Sequence, residues 1–322
     1  MNEVLLVDER APLSLTSDKS TEAYRNWWQG PGDSMIALMN RSIDIFEELA
    51  GESGNRFNLN RRGYVYATAN PDHIAKLKSA AIEIGKLGAG PIRYHSGEAN
   101  DPPYIPSPPE GYQGLPAGAD LITSTTLIHE HFPYLSDKTV AVLHARRCGW
   151  LSAQQLGMYM LERAREHGTR LLRARVEGLE VLEGRVEAVR LSHSDVLKLV
   201  TPRFVNAAGP FQGQVANMLG VELPVYHELH EKVVFNDHLK VLPREAPLLI
   251  WIDHQSLDWN EQERLFLAES DDTSALLERF PPGVHLRPEG MGASTTLLML
   301  WNYHTQRRQP VFPIEHDPLY PE

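Results

Sequence analysis

Cysteine, positive charge and long apolar runs are all scarce in this sequence, and each shortage excludes a class of protein. The 322 residues include one cysteine, Cys148, so no disulfide can form within the chain and no cysteine-rich zinc site can be built. The formal net charge of −11 gives no general electrostatic attraction to nucleic acid or to an anionic membrane. No run of about 18 apolar residues occurs, and the first residues lack the basic-then-apolar order of a signal peptide. We therefore expect a cytoplasmic protein that binds neither nucleic acid nor a membrane.

The sequence does contain alternating helix-type and strand-type patterns, at a length that suggests about two domains. Apolar residues at helical spacing predict helices over residues 33–50, 71–87 and 152–167, the last of which begins with a capping box. Apolar and β-branched runs predict strands at residues 4–7, 63–67, 171–176, 204–206, 232–235, 248–252 and 295–301. A hairpin is predicted over residues 178–191, with its turn at Glu183-Gly184. These patterns predict an α/β fold whose two domains exchange the chain more than once.

Small residues end the predicted strand at residues 204–206, which runs into Ala207, Ala208 and Gly209. Because bulky side chains are missing there, a flat ligand can approach the backbone. The turn that follows directs the N-terminus of a predicted helix, residues 212–219, toward that space. The alternative is a tight strand-to-helix turn that packs beneath a neighbouring helix.

Two polar segments near the N-terminus offer further binding groups. Asp8 directly follows the apolar run at residues 4–7, and an acid in this place can take both hydroxyls of an adenosine ribose. A solvated loop acid is the alternative. Residues 14–22 are rich in hydroxyls and include Lys19, which suits a phosphate or a ribityl chain. Arg25 stands near two tryptophans and could clamp a carboxylate, although a surface loop anchored by aromatic side chains explains the same residues.

In order and spacing, these segments resemble the FAD-dependent oxidoreductases of the D-amino-acid oxidase superfamily, and within it the glycine oxidase and sarcosine oxidase branch. Residues 4–10 look like the second strand of the flavin fold, and residues 17–21 look like the serine-rich loop that passes the flavin. Residues 148–176 look like the middle section of the family. Residues 205–211, followed by Leu-Pro-Val at 223–225, look like the strand and small-residue turn that contact the cofactor.

The resemblance implies a Rossmann-like FAD-binding domain interleaved with an antiparallel-sheet substrate domain. The implied FAD-binding domain covers residues 1–55 and 138–222, and the implied substrate domain covers residues 56–137 and 223–322. The resemblance also implies cofactor contacts, which fall on Asp8, Glu9, Arg10, Ser17, Lys19, Ser20, Thr21, Val176, Ala207, Ala208, Gly209 and Phe211.

The sequence departs from this family at both ends. A member begins with a strand, a Gly-x-Gly-x-x-Gly turn and a helix, about 20 residues before the acid. Here seven residues precede Asp8, and the nearest spellings, which begin at Gly30, Gly88 and Gly290, lack the third glycine and a preceding buried strand. A C-terminal flavin-closing turn and helix is not found before Glu322. We expect an incomplete form that starts at an internal methionine, and a split protein completed by a second chain is the rarer alternative.

The implied reaction is transfer of a hydride from the carbon beside an amine to the flavin, which leaves an imine that water hydrolyses. Such a site needs a cation for the substrate carboxylate and a neutral or basic group near the amine. His230 and Lys232 would share one face of a strand, so we predict them, with Arg25, as the catalytic residues. A polar strand face with solvated charges is the alternative. The late strands add candidates for the floor of the substrate pocket, which are Arg287, Pro288, Glu289, Gly290, Trp301 and His304.

Two other functions stay open at this point. The histidines at 129 and 131, and at 227 and 230, resemble metal-binding spellings, but neither pair has the His-Glu-x-x-His spacing of a zinc helix, so we expect no metal. A flavin-free remnant that acts as an interaction protein would explain the absent glycine turn. For the enzyme, the substrate could be glycine, a D-amino acid, an N-methylated amino acid or another secondary amine. The final electron acceptor could be oxygen or an electron carrier.

Overall fold

The computed structural model describes residues 4–290, 292–301, 307–316 and 320, which form a mixed α/β fold. The strands are β1 Leu5–Asp8, β2 Ala23–Arg25, β3 Tyr64–Thr68, β4 Ile92–His95, β5 Ala119–Ile122, β6 Ala141–Ala145, β7 Cys148–Trp150, β8 Arg170–Arg173, β9 Arg175–Leu182, β10 Arg185–Ser192, β11 Lys198–Val200, β12 Lys232–Asn236, β13 Leu248–Trp251, β14 Val284–Pro288 and β15 Thr296–Trp301. The α-helices are α1 Thr16–Lys19, α2 Ser34–Ser53, α3 Asp72–Ile84, α4 Thr125–His131, α5 Ala153–Glu166, α6 Gln212–Asn217, α7 Glu261–Leu267 and α8 Asp271–Ser274.

The chain divides into two compact units and alternates between them. The smaller unit comprises Met1–Glu22, Ser152–Leu229 and Gln306–Glu315, and the larger unit comprises Ala23–Leu151, His230–Thr305 and His316–Glu322. The predicted domain boundaries after residues 55, 137 and 222 stay predictions, because compactness alone does not define a functional domain.

The smaller unit contains a parallel strand pair and an antiparallel sheet. Strand β1 pairs with β8, with Leu5 opposite Arg170, and the antiparallel sheet has the order β11-β10-β9. The turn between β9 and β10 has positive φ angles at Glu183 (51°) and Gly184 (76°), which match the twist of a two-residue hairpin. The predicted hairpin is therefore confirmed. The core of this unit is centred on three buried side chains, Ala174, Val189 and Leu191.

The larger unit is built on a mixed sheet of eight strands, in the order β12-β15-β14-β13-β3-β6-β5-β4. The pairs β13–β3 and β4–β5 are parallel, and the remaining pairs are antiparallel. One side of the sheet, which carries Tyr64 and Ile250, packs against Ile36 of α2 and Ile84 of α3. We call it the α2 face. The opposite side packs against Ile128 of α4. Because side chains alternate along a strand, the two faces carry different residues.

Helix α2 follows the predicted periodicity. It buries Ile36, Ile43 and Ala50, and it ends at Gly54, whose φ of 67° is the left-handed conformation typical of a helix C-terminus. None of the helices in the described part of the chain combines the length and the apolar character that crossing a membrane requires.

The predicted strand at residues 204–206 is wrong. Val205 is 84% exposed, and no strand of the described chain pairs with this stretch. The side chain of Asn206 bonds the local backbone instead, since Oδ1 accepts the N–H of Ala208 (3.3 Å) and Nδ2 donates to the carbonyl of Gln212 (2.9 Å). An asparagine that caps its own turn in this way competes with strand pairing. The helix that follows, α6, is also shorter than the predicted 212–219.

Candidate cofactor and substrate sites

The chain leaves β1 through charged side chains that hold the local backbone. Asp8 Oδ1 accepts the N–H of Arg10 at 2.9 Å, and no hydrogen bond within the described chain engages Oδ2. Glu9 pairs with Arg10 (Oε1 to Nη1, 2.9 Å) and with Arg175 (Oε2 to Nη1, 3.5 Å). Because the half-buried Asp8 keeps one carboxylate oxygen available, it fits the predicted role of a ribose acceptor.

Arg10 joins this strand end to the small-residue turn. Its guanidinium carbon lies 5.5 Å from the ring centre of Phe211 and 4.6 Å from that of Phe312. Its Nε is buried and has no hydrogen-bond partner among the residues described. The structure therefore brings two predicted cofactor residues, Arg10 and Phe211, into a cation–π contact.

The turn itself presents backbone and methyl groups. Gly209 has a φ of 54°, and no described atom outside its chain neighbours lies within 4 Å of the place that a Cβ would take. Ala207 and Gly209 are exposed, whereas Ala208 and Phe211 are half-buried. A planar ligand can lie on such a surface because no long side chain intervenes.

The hydroxyl-rich segment forms the short helix α1 and docks against α5. Gln154 of α5 donates to the carbonyl of Leu13 (2.9 Å) and to Asp18 Oδ1 (3.0 Å). Glu22 Oε1 accepts the N–H of Ala153 at 2.9 Å, which ties the end of the segment to the first turn of α5. These bonds fix the path of the backbone past α5.

The predicted cofactor residues of this segment differ in exposure. Ser17 and Thr21 are half-buried, and Lys19 is exposed and forms an ion pair with the neighbouring aspartate. Ser20 Oγ accepts the backbone N–H two residues later at 3.0 Å. Val176 is half-buried in the core of the smaller unit. Cofactor contact by any of the five residues stays a prediction.

The residues present fit part of an FAD site. The strand end supplies a carboxylate oxygen for ribose hydroxyls, and Arg10 supplies a buried N–H that has no described partner. The turn at Ala207 to Gly209 supplies open backbone for a planar ring. All of these groups belong to the smaller unit.

In the larger unit, strand register aligns polar side chains on the α2 face. Tyr66 lies opposite Ile250, Ile250 opposite His285, His285 opposite Leu300, and Leu300 opposite Lys232. Residues opposite each other in a sheet project from the same face. Tyr66, His285 and Lys232 therefore share the α2 face, with backbones separated by two strands, or about 10 Å, from one to the next.

Arg25 lies against this face in aromatic surroundings. Its Nη1 donates to Tyr66 Oη at 3.4 Å, and its guanidinium carbon lies 4.1 Å from the ring centre of Trp28 and 5.9 Å from that of Tyr64. Burial raises the pKa of Tyr66 to about 12, so this hydroxyl stays protonated at neutral pH. Arg25 Nε is buried without a hydrogen-bond partner, and no carboxylate of the described chain forms an ion pair with this arginine. A guanidinium in this state suits the carboxylate of a substrate.

His285 is a candidate that the sequence reasoning missed. Its Nδ1 lies 2.7 Å from the carbonyl of Gly283, which can only accept, so Nδ1 carries the proton and Nε2 carries a lone pair. Burial lowers the pKa of His285, and the charges of Arg25 and His230 lower it further, against the opposing effect of the Gly283 bond. The sequence offered a hint, because Arg287 was already a candidate for the substrate pocket. Residues two apart on a strand share a face, so His285 belongs on the same face as Arg287.

The expectation that His230 and Lys232 lie together on one strand is wrong. Strand β12 begins at Lys232, which is half-buried, whereas His230 precedes the strand and is exposed. Glu231 between them is buried, and its carbonyl accepts the hydroxyl of Tyr320 (2.7 Å), which in turn accepts the backbone N–H of Trp301 on β15 (2.8 Å). The tyrosine hydroxyl therefore bridges the two backbones just before direct strand pairing begins. His230 nevertheless lies close enough to His285 to affect its charge. The catalytic roles of His230 and Lys232 stay predictions.

The other late-strand candidates are engaged in local contacts. Arg287 is 1% exposed, pairs with Glu289 at 2.7 Å (Nη2 to Oε2), and lies 5.2 Å from the ring centre of Trp150. Trp301 donates its indole N–H to a backbone carbonyl at 2.9 Å. His304 lies outside the described residues. Arg287 is therefore neutralised within the chain, unlike Arg25.

A buried polar cluster in the larger unit is structural. Asp120 accepts hydrogen bonds from Arg93 (2.7 and 2.9 Å), from His95 (2.8 Å) and from Arg146. Burial alone would raise the pKa of Asp120, but the bonds and charges of these groups together outweigh it and hold the pKa well below its usual range. Arg146 also donates to the carbonyl of Ile105 at 2.7 Å, which fixes the proline-rich connection between β4 and β5.

Two further features do not coincide with the predicted site. A groove of about 630 Å³ is lined by α2 residues such as Glu47, by Arg61 and by Tyr112, and none of the predicted site residues lines it. Within the ranges that the structure describes, no three His, Cys, Asp or Glu side chains converge as metal ligands. His129 and His131 lie in the last turn of α4.

Comparison with known proteins identifies the family and the fold. The sequence matches the family model described as FAD dependent oxidoreductase over residues 2–258. No curated protein matches it significantly. Among solved structures, L-proline dehydrogenase from P. horikoshii superposes with a TM-score of 0.68 at 15% identity, covering 99% of this chain and 67% of its own. Glycine oxidase from Bacillus cereus ATCC 14579 superposes with a TM-score of 0.61 at 12% identity, covering 95% of this chain and 68% of its own.

A third structure carries the cofactor. L-alpha-glycerophosphate oxidase from Mycoplasma pneumoniae with FAD bound superposes with a TM-score of 0.55 at 10% identity, covering 85% of this chain and 72% of its own. At these identities the likeness shows the fold. The chain spans about two thirds of the length of the first two proteins.

Proposed function

Because the chain belongs to the FAD-dependent oxidoreductase family, we propose that it oxidises the C–N bond of an amino acid or of a related secondary amine that carries a carboxylate. The observation that supports this substrate class most is Arg25. Its guanidinium is held by Trp28 and Tyr66 on the α2 face, and it has no carboxylate partner within the described chain. A cation held in this way is ready to receive an anionic group.

The residues that would hold FAD lie in the smaller unit. Asp8 Oδ2 would accept hydrogen bonds from ribose hydroxyls, as the acid at the end of a dinucleotide-binding strand does. The turn from Ala207 to Gly209 would leave room for a ring against the backbone. FAD supplies the acceptor for a hydride, and the protein supplies position and charge.

The substrate would be oriented by its carboxylate. Arg25 would take this group through its guanidinium edge in a charge-assisted contact. The rings of Trp28 and Tyr64 beside the guanidinium reduce the local water content, which strengthens an ion pair relative to one in bulk solvent. Tyr66, which already bonds Arg25, would keep the guanidinium in place.

The names of the similar proteins support an amino-acid substrate without selecting one. One is a dehydrogenase named for L-proline, and one is an oxidase named for glycine. These names are compatible with either an electron carrier or oxygen as the acceptor here. Substrate and acceptor are therefore to be identified by a screen of amino acids and secondary amines on the FAD-loaded protein.

A spectroscopic titration tests the proposed function. FAD is added to the 322-residue protein and to a version extended upstream, and the visible absorbance of bound flavin is followed. We expect a yellow protein whose colour fades when an amine substrate is added without oxygen. Colour in the extended version alone would support the expected incomplete form. A soluble protein that stays colourless in both versions would contradict the proposed function.

A further inference from the structure

His285 lies on a strand of the sheet and not in a loop. It is the second residue of β14, with Ile250 opposite it on one side and Leu300 opposite it on the other. Both flanking residues are aliphatic, so the imidazole has no titratable neighbour in the adjacent strands at its own level. Sites on regular strands hold a side chain more firmly than loops do.

The hydrogen bond at Nδ1 fixes the tautomer of His285. The acceptor is the carbonyl of Gly283, 2.7 Å away, so the proton stays on Nδ1. Nε2 has no hydrogen-bond partner among the described residues, and it is not sealed from solvent. The lone pair of Nε2 is therefore available to accept a proton.

The charged groups on the α2 face around His285 are cationic or neutral. Arg25 approaches from β2 and His230 from the segment before β12, and both disfavour a second proton on the ring. Two strands away on the same face lie the phenol of Tyr66 on β3 and the ammonium of Lys232 on β12. Arg287, on the same strand, is paired with a carboxylate. This environment keeps His285 neutral at the pH where amino acids are ammonium ions.

We infer that His285 Nε2 accepts a proton from the ammonium group of a substrate whose carboxylate is held by Arg25. This role rests on the proposed function. Arg25 donates to Tyr66, and Tyr66 and His285 lie on the same face two strands apart. One small molecule that carries both groups can therefore meet both side chains. The ligand class is an α-amino acid or an N-alkyl amino acid that arrives in its protonated form.

The proton balance of the step is simple. An N–H bond of the ammonium group breaks, its electron pair stays on nitrogen, and the proton forms a bond to Nε2. Oxidised FAD, when bound, would accept the hydrogen of the adjacent C–H bond together with both electrons, as a hydride. The substrate becomes an iminium ion that water hydrolyses. His285 returns its proton to solvent before the next turnover.

The test compares pH profiles of His285→Asn and the wild type. The asparagine amide can donate to the Gly283 carbonyl in place of Nδ1, but it has no base at the position of Nε2. We measure kcat/KM of the FAD-loaded enzyme from pH 6 to pH 10, a range set by the usual pKa values of about 6.5 for histidine and about 8 for an α-amino group. The kcat/KM of the wild type should stay nearly constant with pH below the pKa of the substrate amine. The variant should lose activity about tenfold for each pH unit below that pKa, because it can use only the neutral amine.

Three controls separate this role from a structural one. His238→Gln changes an exposed histidine of the same unit and should reproduce the wild-type profile. His285→Gln, which alters the Gly283 contact differently, should show the same slope as His285→Asn. Binding of an amine-free carboxylic acid, followed through the fluorescence of Trp28 beside Arg25, should be unchanged in His285→Asn.

A constant loss at every pH, or no loss, would overturn the role of His285 and leave the proposed function standing. If no amine reduces the cofactor in the wild type, the proposed function fails, and this inference fails with it.

Discussion

The two units carry different parts of the proposed reaction site. In the larger unit, the buried Asp120 has three basic partners. In the smaller unit, Arg10 Nε has no described partner, and Val205 and Leu6 are 84% and 40% exposed. Buried polar atoms without a partner and exposed apolar side chains are typical of surfaces that bind a ligand. Arg25 Nε of the larger unit is also buried without a described partner. We propose that the larger unit provides the substrate face and that the smaller unit provides the cofactor surface.

The largest effect should follow from breaking the polar cluster of the larger unit. Asp120→Ala leaves the buried Arg146 and the half-buried Arg93 without their carboxylate, which should lower the free energy of unfolding by about 3–5 kcal/mol. Urea denaturation of the purified protein measures this change. The exposed Asp137→Asn is the matched control, and it should change stability by less than about 0.5 kcal/mol. Equal effects of the two substitutions would contradict the stabilising role of the Asp120 cluster.

The same cluster should make the larger unit sensitive to acid. Because the pKa of Asp120 is lower in the folded state than in the unfolded state, its stabilising contribution is complete above the unfolded value of about 4. The contribution is lost as the pH falls toward the folded pKa. The stability difference between the wild type and Asp120→Ala should therefore shrink below about pH 4 in acid titrations.

Arg25→Ala should affect the substrate and leave the cofactor untouched. Loss of a charge-assisted contact of about 1.5–3 kcal/mol should raise KM roughly tenfold to a hundredfold. The dissociation constant of FAD should stay unchanged, because Arg25 belongs to the larger unit. Arg25→Lys keeps the positive charge but lacks the planar edge of the guanidinium. Its KM should therefore lie between that of the wild type and that of Arg25→Ala. If KM and the dissociation constant of FAD both rise to the same extent, the separate assignment of substrate and cofactor binding to the two units would be contradicted.

Ala207→Trp tests the proposed cofactor surface of the smaller unit. Ala207 is exposed, so the substitution should leave the free energy of unfolding nearly unchanged. If a planar cofactor lies on this turn, the added ring should weaken FAD binding by about 1–3 kcal/mol, which a fluorescence titration measures. Val181→Trp, at a 48% exposed position of the same unit, is the control that should leave FAD binding intact.

The smallest effect should come from a helix cap in the smaller unit. Ser152 Oγ accepts the N–H of Gln155 at 3.3 Å and begins α5, against which the 17–21 segment docks. Ser152→Ala should lower the free energy of unfolding by about 1 kcal/mol. Ser152→Thr keeps the acceptor and should restore most of the loss in thermal denaturation. An unchanged stability in the alanine variant would show that the cap contributes nothing.

The fold could be predicted from the sequence wherever a local rule determines the structure. The helical spacing of apolar residues from Ile36 to Leu49 predicts α2, and the Glu183-Gly184 turn predicts its hairpin. The predicted strand at residues 204–206 was wrong because strand propensity does not show whether a partner strand is available. In addition, the side chain of Asn206 forms hydrogen bonds with the local backbone, which compete with strand pairing.

The substrate face was predictable only in part. Arg25 stood out because of its neighbouring tryptophans. His285 did not, because its place on the same face as Tyr66, the partner of Arg25, depends on the parallel pairing of β3 with β13. These two strands are nearly two hundred residues apart in sequence. Register between such distant strands is determined by packing of the whole sheet and not by any local pattern.

The most direct measurement uses two small molecules that differ only in the amine. The FAD-loaded protein is mixed without oxygen with an amino acid that the screen identifies, and separately with the carboxylic acid of the same skeleton without its amine. Flavin absorbance should fade with the first and persist with the second, although both should bind through Arg25. Flavin that no amino acid or secondary amine reduces, or that the amine-free acid reduces equally well, would contradict the account.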